Sequence, residues 1–130
     1  MKILCAALVL LATNTSGFAK LVNIGENNRM VIYADTIVNR SGDNATGWIL
    51  FDYKTIQQSP MSGKRYLSEK DQMEVNCRAE QKRTLFFTWH ADHMGEGIVV
   101  YTGQRPTEWE PTSSPASIGK SVAQYFCSRL

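Results

Sequence analysis

From Met73 to His90 the chain reads MEVNCRAEQKRTLFFTWH, and apolar residues recur at every second position. Met73, Val75, Cys77, Ala79, Leu85, Phe87 and Trp89 fall on one parity, and polar residues hold most of the other. A period of two predicts one long strand, or two strands in line, with one buried face that Cys77 joins. Gln81 and Arg83 interrupt the apolar parity, so either a bend or bulge falls there or that part of the face lies beyond the core. Arg29 to Val38 (RMVIYADTIV) is a second strand, rich in β-branched residues. Thr46 to Ile56 (TGWILFDYKTI) is apolar on both parities in its middle, the pattern of a central strand. Asn39 to Ala45 is a polar turn between these two. Lys64 to Ser68 is a short strand, and Gly97 to Thr102 follows a hairpin loop, HADHMGE, from His90 to Glu96. Gln104 to Pro115 is a loop with three prolines. The period then changes. Ile118, Val122, Tyr125 and Phe126 recur at i, i+4, i+7 and i+8, and Ser113-Ser114-Pro115 supplies a cap and a first-turn proline. The expected fold class is α+β: an antiparallel sheet of about five or six strands with a C-terminal helix packed on one face.

The N-terminus changes how much of the chain enters that fold. Met1 and Lys2 form a positive start, Ile3 to Ala12 is apolar, and Gly17 and Ala19 have the small-x-small arrangement of a peptidase site. This is the pattern of a secretory signal peptide, residues 1–19, cut after Ala19. Its apolar run falls short of the roughly 20 residues that span a bilayer. Cys5 sits too early, and no cysteine follows Ala19, so no lipid anchor is expected. Residues 20–130 remain as a single domain. Of 14 Lys and Arg against 12 Asp and Glu, Lys2 leaves with the signal, so the remaining net charge is +1. That field recruits neither nucleic acid nor anionic membrane. No further apolar run approaches membrane length, so no transmembrane span is expected. Cys77 and Cys127 are the cysteines left. In an oxidising compartment they predict one disulfide, worth about 4 kcal/mol in the chain-entropy account. Cys127 neighbours the apolar stripe of the helix, so the bond would tie the helix to the sheet. The oligomeric state has no signature in the sequence.

Candidate chemistry is sparse. His90, Asp92 and His93 could begin a zinc site, but no second ligand cluster accompanies them, so no metal or cofactor is expected. The two histidines share one loop, and neither a nucleophile elbow nor a Ser-His-Asp set appears. Asp35, Asp52, Glu69, Asp71 and Glu74 could converge as paired carboxylates, though nothing singles out a pair. No catalytic residue is therefore assigned. Arg78, Lys82 and Arg83, with Lys64, Arg65 and Lys70, make the densest basic region, interleaved with Glu74 and Glu80. Trp48 and Trp89 fall on core positions, whereas Trp109, between Glu108 and Glu110, is the best exposed anchor. The candidate binding residues are Arg78, Lys82, Arg83 and Trp109. Asn39-Arg-Ser and Asn44-Ala-Thr match the glycosylation sequon but sit among turn residues.

Several segments, in order, resemble the surface-adhesin protein E-like family of Gram-negative bacteria. They are YAD at Tyr33, GWILFDY at Gly47, YLSEKDQMEVNC at Tyr66, MGEGIVV at Met94, Trp109 with Pro111, and SIGKSVAQYFC at Ser117. The resemblance implies an antiparallel sheet with its C-terminal helix tied on by the cysteine pair, in a protein of the bacterial envelope. It also implies adhesin-like binding of host matrix proteins or plasminogen. The expected function is an exported, non-enzymatic envelope protein that binds a host extracellular-matrix or envelope protein, in the periplasm, on the outer surface, or secreted. The alternative is a soluble periplasmic inhibitor or stress-related protein, a role that suits small disulfide-stapled domains.

Overall fold

The computed structural model describes residues 20–128, and the signal peptide expected at residues 1–19 lies outside them. Strands form at β1 (Leu21–Glu26), β2 (Met30–Ser41), β3 (Asn44–Gln58), β4 (Arg65–Asn76), β5 (Gln81–His90), β6 (Val99–Gly103) and β7 (Glu110–Pro111), and α1 spans Ala116–Cys127. They make one antiparallel sheet in the order β1-β2-β3-β4-β5-β6, and two-residue β7 pairs with β5 beside β6. The meander follows from short connections, since adjacent antiparallel strands need only a tight turn. The strand at Lys64 to Ser68 is the start of the longer β4. Edge strand β1 was not expected: LVNIGE is short, half-exposed and carries Gly25, so it has no clean alternation.

The stretch from Met73 to His90 is neither one strand nor two in line. The chain reverses at Cys77 to Glu80, where Asn76 Oδ1 accepts the Ala79 N–H at 2.9 Å and Glu80 adopts a left-handed backbone with φ 53°. The turn moves the inward parity from odd Val75 to even Lys82 and the bulge at Leu85 moves it back, so the apolar ends share one parity and the reversal is invisible in the period. Gln81 and Arg83 pair in regular register, and the bulge lies beyond them. Gln72 pairs with Phe86 but Met73 with Thr84, leaving Leu85 as the extra residue of β5. A bulge of one residue exchanges the faces of everything beyond it. Lys82 and Thr84 therefore face the helix side before the bulge, and Phe87 and Trp89 after it.

One face carries the core. Ile32, Ala34, Ala45, Ile49 and Val75 are fully buried there with Val122 and Phe126 of α1. Central β3 also buries Leu50, between Ile49 and Phe51, which is why its middle is apolar on both parities. Gly47 allows a close approach of the helix: a Cβ there would lie 3.0 Å from the Phe126 ring. The helix begins after Pro115 without a side-chain cap, so the expected serine cap does not form. The Tyr125 hydroxyl donates to the Asp35 carbonyl at 3.3 Å. Cys77 and Cys127 form the disulfide, with their Cα atoms 5.7 Å apart, joining the β4–β5 turn to the last helical turn.

Because α1 is one short helix held at one end by this bond, Cys127→Ser is expected to lower stability by roughly 2–5 kcal/mol in urea unfolding. An unchanged unfolding midpoint would show that packing alone holds the helix.

Candidate functional site

The 12 residues of α1 lie over the part of the sheet nearest β1 to β3. The rest of that face is roofed by aromatic rings. Trp89 stacks on Tyr66 with ring centroids 4.4 Å apart, Tyr101 lies 4.9 Å from Trp89, and Tyr53 meets Tyr66 edge-on at 5.7 Å. Beneath them two of the five candidate carboxylates come together. The Tyr53 hydroxyl donates to Glu69 Oε2 at 2.8 Å, and the Thr84 hydroxyl donates to Asp71 Oδ2 at 3.2 Å. Asp71 is buried, with no donor to its Oδ1 among the described residues. Burial first, and then adjacent Glu69, push the Asp71 carboxyl well above its ordinary 3.8. Burial and Glu69 likewise raise the Tyr53 hydroxyl. A protonated Asp71 can donate to Glu69. The pair is enclosed rather than flanking an open cleft, so it has no place for a sugar and a water between its members.

Among the described residues no α-helix covers the opposite face. At one end the loop after β5 folds back on it through a 3-10 turn, His93–Gly95. Asp52 Oδ1 accepts the Met94 N–H at 2.9 Å and lies 3.0 Å from His93 Nδ1. Fully buried Ser68 donates to the Asp92 carbonyl at 2.6 Å and accepts the Gly95 N–H at 2.8 Å. His90 is buried beside Thr88, and burial with nearby Lys70 lowers its imidazole. The two histidines of HADH thus engage different partners, and among the described residues no three His, Cys, Asp or Glu side chains gather closely enough to hold an ion.

Further along this face, Gln72 pairs with both Trp48 and Phe86, whose rings meet edge-on at 6.2 Å. The next row holds Glu74 and Arg83. Arg83 Nε donates to Glu74 Oε1 at 2.8 Å, and Asn44 donates to Glu74 Oε2 at 3.3 Å. The loop before β7 brings Trp109 over this row, with the Arg83 guanidinium 4.5 Å from its ring centroid. Trp109 remains 36 % exposed. Thr107 fixes the loop: its N–H donates to the Thr84 carbonyl at 2.8 Å, and its hydroxyl accepts the Thr84 N–H at 2.9 Å.

Of the four candidate binding residues, Arg83 and Trp109 meet. Arg78 is exposed in the β4–β5 turn. Lys82 is not on a basic surface: it is 2 % exposed, faces the helix side and pairs with Glu110 of β7. The bulge at Leu85 explains the error, because it reverses which parity of β5 points inward. Lys64 and Arg65 lie at the far end of β4, roughly 35 Å from Arg78 along the strand, so the basic residues form no single patch. Trp48, assigned to the core, is half-exposed on the open face, and Phe86 was missed. The Phe86-Phe87 pair held the signal, since two adjacent apolar residues in an alternating strand mark a change of phase.

The sequence matches the family described as Surface-adhesin protein E over residues 21–128. No curated protein matches it at a significant level. Solved structures of Haemophilus influenzae protein E share the fold at low identity. One, in crystal form II, aligns with TM-score 0.64 and 14 % identity, covering 91 % of this chain and 94 % of that one. A second aligns with TM-score 0.62 and 14 % identity, covering 91 % of each.

The carboxyl pair fixes a pH dependence. In the unfolded chain Asp71 ionises near 3.8, whereas in the fold it keeps its proton to a higher pH. The unfolded chain then binds fewer protons, so this group's contribution falls as pH rises from about 4 towards the raised folded value. Asp71→Asn, which can donate to Glu69 at any pH, is expected to flatten that decline and raise stability at pH 7, read from urea midpoints across pH. For the Lys82–Glu110 pair, Glu110→Gln leaves a buried ammonium without its anion, whereas Lys82→Met removes the charge itself. Glu110→Gln is expected to cost about 1–3 kcal/mol, and Lys82→Met less, by the same measurement.

Proposed function

Because the chain belongs to the surface-adhesin protein E family, we propose that it is an exported, non-enzymatic binding protein of the bacterial envelope. Residues 1–19 act as its signal peptide, cut after Ala19, and residues 20–130 form the working domain. The reading rests on the Arg83–Trp109 pair of the open face. Arg83 uses its Nε on Glu74 and its flat side on Trp109, leaving its Nη groups without partners among the described residues. A part-exposed tryptophan held rigid by a guanidinium that can still donate is the kind of anchor that dominates protein interfaces. Half-buried Trp48 and Phe86 extend it, and exposed Arg78 adds charge at its rim. The partner is a protein, of host matrix or of the envelope, that offers a carboxylate or carbonyl to Arg83 and an apolar surface to Trp109.

Surface plasmon resonance on immobilised matrix proteins, plasminogen and envelope extracts tests this directly. Trp109→Ala and Arg83→Ala are each expected to weaken binding about tenfold or more, while Lys54→Ala, remote from the patch, leaves it unchanged. No binding at about micromolar concentration would refute the reading. Cleavage by protease added to intact cells, with a periplasmic control protected, would place the site on the outer surface. Protection followed by release on osmotic shock would make the partner a periplasmic one.

A further inference from the structure

A groove of about 800 Å³ lies on the helix side, between the β4–β5 turn, the segment 111–113 and one flank of α1. Its walls are Val75, Ala79 and Ala123, with the Cys77–Cys127 disulfide among them. Three features with a cost in stability converge on the two strips of chain that bound it. Glu80, not a glycine, is held at φ 53°, and its carbonyl accepts the Thr112 N–H at 2.9 Å. Gly119 is pressed against the Thr112 carbonyl so closely that no Cβ would fit. Lys82 is buried whole to reach Glu110, next to the strip. Strained and buried polar groups persist where the surroundings over-determine them, and such places cluster at sites of function. The volume is that of a small-ligand pocket.

The lining names the ligand. Small apolar groups share it with one anion, Glu80, and one cation, Lys120. Neither is in an ion pair among the described residues, although they stand on different walls, one on the turn and one on the helix. We propose that the groove binds a short peptide with free ends: its ammonium at Glu80, its carboxylate at Lys120 and an apolar side chain against Ala79 and Ala123. An extended peptide of three residues spans about 10 Å. The proposal does not depend on the Arg83–Trp109 patch, which lies on the opposite face.

The test titrates the oxidised chain from Lys20 with the tripeptide Ala-Leu-Ala, its N-acetyl form and its C-terminal amide, following backbone amide shifts by NMR. Saturable shifts are expected at Ala79, Gln81, Lys120 and Ala123. Blocking either end is expected to weaken binding about three- to fivefold, the value of one solvent-exposed ion pair. In Glu80→Gln the acetyl group should no longer matter, and in Lys120→Met the amide should no longer matter. Both variants change exposed side chains and should keep the wild-type urea midpoint. The proposal is overturned by the absence of saturable shifts up to about 10 mM peptide. It is equally overturned by affinity indifferent to blocked ends, or by shifts confined to the open face. Unaltered binding of protein partners by Glu80→Gln and Lys120→Met would keep the two sites separate.

Discussion

A single short helix has to cover a wide sheet, and most of the architecture answers that mismatch. Twelve residues of α-helix reach about 18 Å. Six strands about 4.8 Å apart make a surface about 24 Å across, and β3 alone, with 15 residues, runs about 50 Å. The helix can shield only one region, so it is used economically. Phe126 is driven against Gly47 until no Cβ fits without a shift, Val122 is wholly enclosed, and the disulfide holds the last turn in place. Where the helix ends, large rings take over. Tyr53, Tyr66, Trp89 and Tyr101 roof the remaining part of the face, and beneath them burial and the neighbouring Glu69 raise the Asp71 carboxyl above its ordinary range.

The two sides of the sheet consequently do different work. The helix side concentrates burial, including the costly Lys82–Glu110 pair that draws the chain before α1 onto β5. The open side carries side chains that are fixed yet available, with Arg83 held from below by Glu74 and from the side by Trp109. Rigidity without enclosure favours recognition, because little side-chain freedom is left to lose when a partner arrives.

Those parts of the fold governed by local period were legible in the sequence. The stripe Ile118, Val122, Tyr125, Phe126 predicted α1 and its buried face, the apolar middle of Thr46 to Ile56 marked the central strand, and the spare cysteines predicted their bond. Features set by pairing were not legible. β1 exists because β2 and α1 give it something to lie on, and its own six residues hold no alternation. The reversal after Asn76 shifts the inward parity and the bulge shifts it back, so Met73 and Trp89 share a parity and the two strands look like one. Arg83 and Trp109 were named from residue type alone. Their meeting depends on Thr107 fastening a proline-rich loop to the edge of β5, a contact across 23 positions. Lys82 was misplaced because the extra residue at Leu85 changes the inward parity between it and Trp89.

That extra residue also sets where β5 can change length over generations. Loss of Leu85 would erase the bulge yet leave Thr84 beside Met73 and Phe86 beside Gln72, with every other side chain on its present face. Loss of Thr88 would instead bring the strand beyond it into the opposite phase, turning Trp89 out to water and His90 in among the tyrosines. The aromatic roof would lose its largest ring to one codon's deletion, whereas the loop from Gln104 to Trp109 touches the sheet at few points and can lengthen or shorten freely at its tip. Insertions and deletions among descendants of this sequence should therefore collect in that loop or at Leu85 itself, and avoid Phe86 to His90.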